Sequence, residues 1–122
     1  SDTGDYLVRN LEGIDPANRL IAIGELLQPG ASVMFCRRDT KTANEDMTRM
    51  LESIRKGMFS RPRGGIYYSC VGRGASLFGP ESEELRMIRD ALGEFPLVGF
   101  FCNGEISHNR LYGYTGVLTL FV

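Results

Sequence analysis

Three short segments hold the residues best suited to chemistry: Cys36-Arg37-Arg38-Asp39, Cys70-Val71-Gly72-Arg73-Gly74 and Cys102-Asn103-Gly104-Glu105. Each ends an apolar run that reads as a strand. An arginine such as Arg73 grips a carboxylate or phosphate through two parallel hydrogen bonds. Asp39 and Glu105 can receive an amine or hold Arg73 in place. Gly72, Gly74 and Gly104 let backbone come close to a ligand and expose N–H groups. Phe78, Phe100 and Phe101 offer apolar walls of the kind that line small-molecule pockets. If the strands are parallel, the tails emerge at one edge of the sheet, where open α/β sheets bind ligands. The expected ligand site is therefore Cys70, Gly72, Arg73, Gly74, Phe100, Asn103, Gly104 and Glu105. The competing reading is structural: Arg73 and Glu105 pair to fasten two loops, and the glycines only turn the chain.

Other chemistries find less support. Gly72-Arg73-Gly74 lacks the Lys-Ser/Thr of a phosphate-binding loop and the third glycine of a dinucleotide fingerprint. A thiol nucleophile needs a base beside it, and His108 follows Cys102 only across a turn. No Ser–His–Asp order and no GxSxG elbow is present. No catalytic residue is expected, and the chain reads as a binder rather than a complete enzyme. Cys36, Cys70 and Cys102 with His108 would make a Cys₃His zinc set, but no pair has knuckle spacing, and buried cysteine commonly acts as a small hydrophobe. Neither metal nor cofactor is expected. A haem- or metal-binding sensor is kept as an alternative through His108, the only histidine. A protein-interaction module without ligand is the other.

The elements that must position these residues can be read from periodicity. Residues 1–5 read as a disordered tail and 6–122 as one domain. Tyr6–Ile14 and Leu20–Ile23 read as strands around the Asp15-Pro16-Ala17-Asn18 turn. Residues 32–37 read as a third strand. Ala43, Met47, Met50, Leu51 and Ile54 sit at helical spacing, with a capping box at Thr42 and Glu45 and a stop at Gly57. A fourth strand spans Ile66–Val71. A second helix opens at Gly79-Pro80-Glu81, with Leu85, Ile88 and Leu92 as its stripe and Gly93 as its end. Strands at Leu97–Cys102 and Tyr112–Val122 complete the chain.

The order β-β-β-α-β-α-β-β predicts an α/β (α+β) fold: a mixed six-stranded sheet with two helices on one face. Strand–helix–strand units favour parallel neighbours, and the short connections of the first and last pairs favour antiparallel hairpins. Strands apolar on both faces leave one face without helices, and large bare apolar patches are unusual in monomers. A second subunit or a neighbouring domain is expected to cover it.

The 122 residues suffice for one domain with a real core. A net charge of −1, from 14 basic and 15 acidic residues, gives no broad cationic surface for nucleic acid. The cluster Arg55, Lys56, Arg61 and Arg63 reads as a solvated helix end. Three cysteines without a close pair fit a reducing compartment. No signal peptide or membrane segment is visible, so a cytoplasmic location is expected. The start Ser-Asp-Thr-Gly suggests a fragment of a longer protein.

The same motifs carry a family resemblance. Cys70-Val71-Gly72-Arg73-Gly74, Leu77-Phe78-Gly79 and Gly99-Phe100-Phe101-Cys102-Asn103-Gly104-Glu105-Ile106 resemble the C-terminal half of the FIST sensory domain. So do Tyr6-Leu7-Val8-Arg9-Asn10, Phe35-Cys36-Arg37-Arg38-Asp39 and the closing Tyr114-Thr115-Gly116-Val117-Leu118. The resemblance implies a sensory input domain of a bacterial intracellular signal-transduction protein that binds small ligands such as amino acids; with the strand-end residues above, the expectation is recognition of amino acids or other small anions at the strand C-terminal edge. It also implies an N-terminal FIST half as the natural cover for the bare sheet face, and it links some members to haem.

Overall fold

In the computed structural model, which describes residues 6–122, the first regular element is a hairpin. Strand β1 (Leu11–Asp15) pairs antiparallel with β2 (Leu20–Ile23), Ile14 opposite Ile21. Asp15 closes the turn by accepting from the Asn18 backbone N–H at 3.1 Å and its amide at 2.8 Å, the local bond that makes Asp a turn former. The expected strand from Tyr6 thus begins only at Leu11. The expected tail, residues 1–5, lies outside the described residues.

The chain divides into two compact units, one ending at Cys36 and the other spanning Arg37–Val122. The expected strand at 32–37 is corrected: this stretch has no regular structure. A strand is made by its partner as much as by its residue types, and Val33, Met34 and Phe35 find none among the described residues.

In the second unit, helix α1 (Thr40–Gly57) starts a turn earlier than the sequence predicts. Asp39 is its N-cap, accepting from the Thr42 N–H at 3.0 Å and its hydroxyl at 3.2 Å. Thr42 is therefore a donor to the cap rather than the cap itself. Met47 and Leu51 form its buried stripe, and the helix ends at Gly57 as expected.

Strand β3 (Gly64–Cys70), helix α2 (Gly74–Phe78), helix α3 (Glu83–Leu92) and strand β4 (Leu97–Cys102) follow, then the hairpin β5 (Glu105–Ser107) with β6 (Arg110–Tyr112), and last β7 (Gly116–Phe121). The class is α+β as expected, but the single six-stranded sheet is corrected to a three-stranded sheet, β4-β3-β7, and two separate hairpins. Strands β3 and β4 are parallel, and β7 runs antiparallel to β3. The last expected strand breaks at Tyr114, which takes φ 58°. Its first part pairs back onto β5, so β7 reaches the central strand rather than hairpinning with β4.

Helix α3 also departs from expectation. Pro80 lies in the connection, and Ser82, at φ 58°, precedes the helix. Leu85 is 47% exposed, and the buried face is Glu84, Ile88 and Leu92, spaced as one helical stripe. The two expected helices are three, and α2 has too few residues to show a period.

All three helices pack on one face of the sheet. Met47, Leu51, Phe78, Ile88 and Leu92 close over Tyr67, with Leu97, Leu118 and Leu120 at the margin. Two glycines hold this arrangement. A Cβ on Gly99 would run into the Tyr67 backbone, and one on Gly116 into the Tyr67 hydroxyl. The opposite face carries Ile66, Tyr68, Val98, Phe100, Val117 and Phe121 by alternation. There Val98 is 67% and Phe100 65% exposed, and Tyr68 meets Phe100 edge-on at 5.1 Å. The sequence's expectation of a second apolar face without helices holds.

Candidate functional site

The polar centre of the second unit is Glu84. Its position on the buried stripe of α3 aims the carboxylate at the sheet. Oε1 accepts from the Tyr67 hydroxyl at 2.7 Å and from Arg73 Nε at 2.9 Å. Oε2 accepts from the Gly74 N–H at 3.2 Å, and the Ser69 hydroxyl lies 3.2 Å from each oxygen. The Arg73 guanidinium stacks 4.7 Å over the Phe78 ring, and an Nη lies 3.6 Å from Met47 Sδ. Burial raises the Tyr67 phenol well above its usual range, opposed by Arg73 and reinforced by Glu84. An ion pair this enclosed survives only when hydrogen bonds satisfy its remaining valences, and Tyr67, Ser69 and the Gly74 N–H supply them to the carboxylate.

Sequence reasoning left open whether Arg73 meets a ligand or Glu105. Its observed partner is Glu84, which the sequence did not single out. The signal was there: Glu84, Ile88 and Leu92 share a helical stripe, but a hydrophobic pattern discounts a glutamate.

Beside this centre lies a cavity of about 530 Å³, within the roughly 300–1,000 Å³ of ligand pockets. It is bounded by β4, α2 and the segment leading into α3. Phe78, Leu85, Leu97 and Phe101 make its apolar wall, with the β4 backbone at Val98–Phe100 along its side, and Ser69, Ser82, Glu83 and Glu84 supply its polar edge. Gly74, at φ 53°, touches the Phe101 ring so closely that any Cβ would collide with it. Of the expected site residues, Gly74 and Phe100 line this cavity; Cys70, Gly72, Arg73, Asn103, Gly104 and Glu105 do not.

Those others gather at the strand ends. The parallel register sets Cys70 against Cys102, so these two tails do emerge together as expected. The third tail arrives from irregular chain instead of a strand: Arg38 donates to the Gly72 carbonyl and stacks 5.6 Å from the Tyr114 ring centre. A Cβ on Gly72 would strike that same ring. Glu105 is 2% exposed. Its Oε1 accepts from Cys102 Sγ at 3.3 Å, and its Oε2 has no partner among the described residues. Burial and then the Glu105 carboxylate push the Cys102 thiol up.

His108 occupies the exposed turn of the β5–β6 hairpin at φ 55°. His108 does not line the cavity just described. Among the described residues no three His, Cys, Asp or Glu side chains are placed to hold a metal ion. Nor is any described helix long and apolar enough to cross a membrane.

Comparison with known proteins gives the chain its kin. It is 41% identical to the uncharacterized protein Rv0628c of Mycobacterium tuberculosis, over 98% of this chain and 32% of that protein. It is 37% identical to the uncharacterized protein Mb0898c of Mycobacterium bovis over the same shares, 98% and 32%. The chain thus spans about a third of the length of the curated relatives it matches. The FIST C domain model matches residues 1–108, a range that takes in the Glu84 centre, the cavity and both parallel strand ends. This chain belongs to the FIST C domain family.

Proposed function

We propose that this chain is the ligand-binding part of a cytoplasmic sensory input module, and that a small molecule with a largely apolar body enters the cavity beside β4. The cavity itself carries this reading. Its size suits a ligand of amino-acid dimensions or somewhat larger, and its aromatic wall suits an apolar side group. Among the described residues no arginine or lysine lines it: Glu84 is saturated by Arg73 and its other donors, and Glu83, paired on its outer side with Arg86, is the carboxylate left at the rim. Charge complementarity therefore favours a neutral or amine head group over the small anion that Arg73 suggested in the sequence. An amino acid would dock through its ammonium. Three free cysteines agree with a reducing compartment.

A thermal-shift series tests the site. Phenethylamine, phenylethanol and phenylpropionate present one apolar body with three head groups. A ligand that binds only the folded chain raises its melting temperature by mass action. The amine and alcohol should raise it, and Ala75→Trp, which fills the cavity from the exposed side of α2, should abolish the response. A shift from the carboxylate alone, or one that survives Ala75→Trp, contradicts the assignment.

The bare sheet face supports a second role, as an interface. Val98, Phe100 and Phe121 are each more than half exposed, and the relatives carry twice as much additional chain again. An N-terminal FIST half is the proposed cover, with a second subunit as the alternative. Sedimentation of the chain, and of a longer form carrying the preceding segment, distinguishes them: self-association of the short form that persists in the long form favours the second subunit.

A further inference from the structure

The cavity leaves a second buried carboxylate, Glu105, and two cysteines unused. Cys70 and Cys102 are register partners on adjacent parallel strands, and alternation sends both side chains to the face away from the helices. Neighbouring strands lie about 4.8 Å apart, inside the roughly 4.4–6.8 Å between Cα atoms that a disulfide spans. The two thiols differ in access: Cys70 is buried and Cys102 half-buried. A carboxylate that is 2% exposed, with one oxygen on the Cys102 thiol and the other without a partner among the described residues, is costly to keep.

We propose that Cys70 and Cys102 form a peroxide-oxidised dithiol site that closes into a reversible disulfide, with Glu105 as the positioning residue for the Cys102 thiol. Cys102, the accessible sulfur, attacks one oxygen of hydrogen peroxide. The O–O bond breaks, the thiol proton leaves with the departing hydroxide as water, and Cys102 becomes a sulfenic acid. Cys70 then attacks the Cys102 sulfur, the S–O bond breaks, and the Cys70 proton leaves in a second water. Two thiols lose two electrons and two protons, and one peroxide becomes two waters. A small thiol reverses the change by exchange. Glu105 holds the Cys102 proton in place, so the thiol stays unreactive until oxidant is plentiful. Transient disulfides of this kind are the usual form in a reducing compartment.

The test uses the chain with Cys36→Ser, which removes the exposed third thiol. Hydrogen peroxide in excess, acid quench and peptide mapping should give a Cys70–Cys102 linked peptide that dithiothreitol reverses. Adding Cys70→Ser should leave Cys102 as a sulfenic acid captured by dimedone. Glu105→Gln should speed iodoacetamide alkylation of Cys102 severalfold at neutral pH, since the carboxylate no longer opposes thiolate formation. Phenylarsine oxide, which bridges two neighbouring thiols, should bind the Cys36→Ser chain one to one, a check that needs no further substitution. The proposal is overturned by Cys102 oxidation with Cys70 left free, by failure to bind the arsenical, or by unchanged or slower alkylation in Glu105→Gln.

Discussion

Glu84 and Glu105 are both almost wholly buried in the same unit, 5% and 2% exposed, yet their surroundings are opposite. Glu84 collects donors from three elements, the Tyr67 and Ser69 side chains on β3, Arg73 before α2, and the Gly74 N–H. Glu105 has one weak S–H donor and an oxygen with no partner among the described residues. A saturated buried carboxylate is a fastener. A starved one costs stability and is kept for another reason. The contrast separates the structural centre of the fold from its reactive corner, and substitutions can break or sharpen it.

The largest effect belongs to Glu84→Ala, which strands the Arg73 guanidinium at 12% side-chain exposure. Removing one partner of a buried pair costs about 3–5 kcal/mol, so urea unfolding should show a midpoint near collapse. Retention of most of the stability would make the centre ornamental. Tyr67→Phe comes next. It deletes a 2.7 Å hydrogen bond to a charged acceptor, a loss of about 1.5–3 kcal/mol readable by the same titration.

That tyrosine also sets an alkaline limit. Its folded phenol is raised above the unfolded value, so the folded state holds the proton more tightly. The contribution is complete below the unfolded pKa, about 10, and is lost as pH rises past it towards the folded pKa. Melting curves of the wild type should fall away above about pH 10, and those of Tyr67→Phe should fall less.

Asp39→Ala should cost less than either, because the cap is on the surface. Hydrogen bonds from Thr42 lower the Asp39 carboxyl, so its contribution is present above the unfolded carboxyl value and disappears as pH falls through the folded one. The acid limb of wild-type melting should therefore be steeper than that of the variant. The smallest effect is expected at the other carboxylate. Glu105→Met replaces an ill-paired buried charge with an apolar side chain of similar volume, which is often neutral or stabilising. A loss as large as that of Glu84→Ala would erase the distinction between the two sites.

Much of the frame was legible from the chain alone. The stripe Met47, Leu51, Ile54 announced α1, Asp15–Asn18 announced the hairpin turn, and β3–helix–β4 announced a parallel pair, which the register from Gly65–Leu97 to Cys70–Cys102 bears out. The apolar runs of β3 and β4 also predicted a second bare face. Each of these depends on residues close in sequence, where periodicity and turn chemistry act directly.

What the chain alone did not disclose depends on groups that meet from afar. Val33–Phe35 has the composition of a strand but no ladder partner. Helix α3 begins past Pro80, which turns Glu84 inward and Leu85 out. Arg73 finds Glu84 rather than Glu105, and the cavity opens beside β4 rather than among the strand-end loops. Local pattern records which residues leave water. Which donors then satisfy a buried carboxylate, and which carboxylate is left unsatisfied, is decided only when strands and helices distant in sequence are packed together.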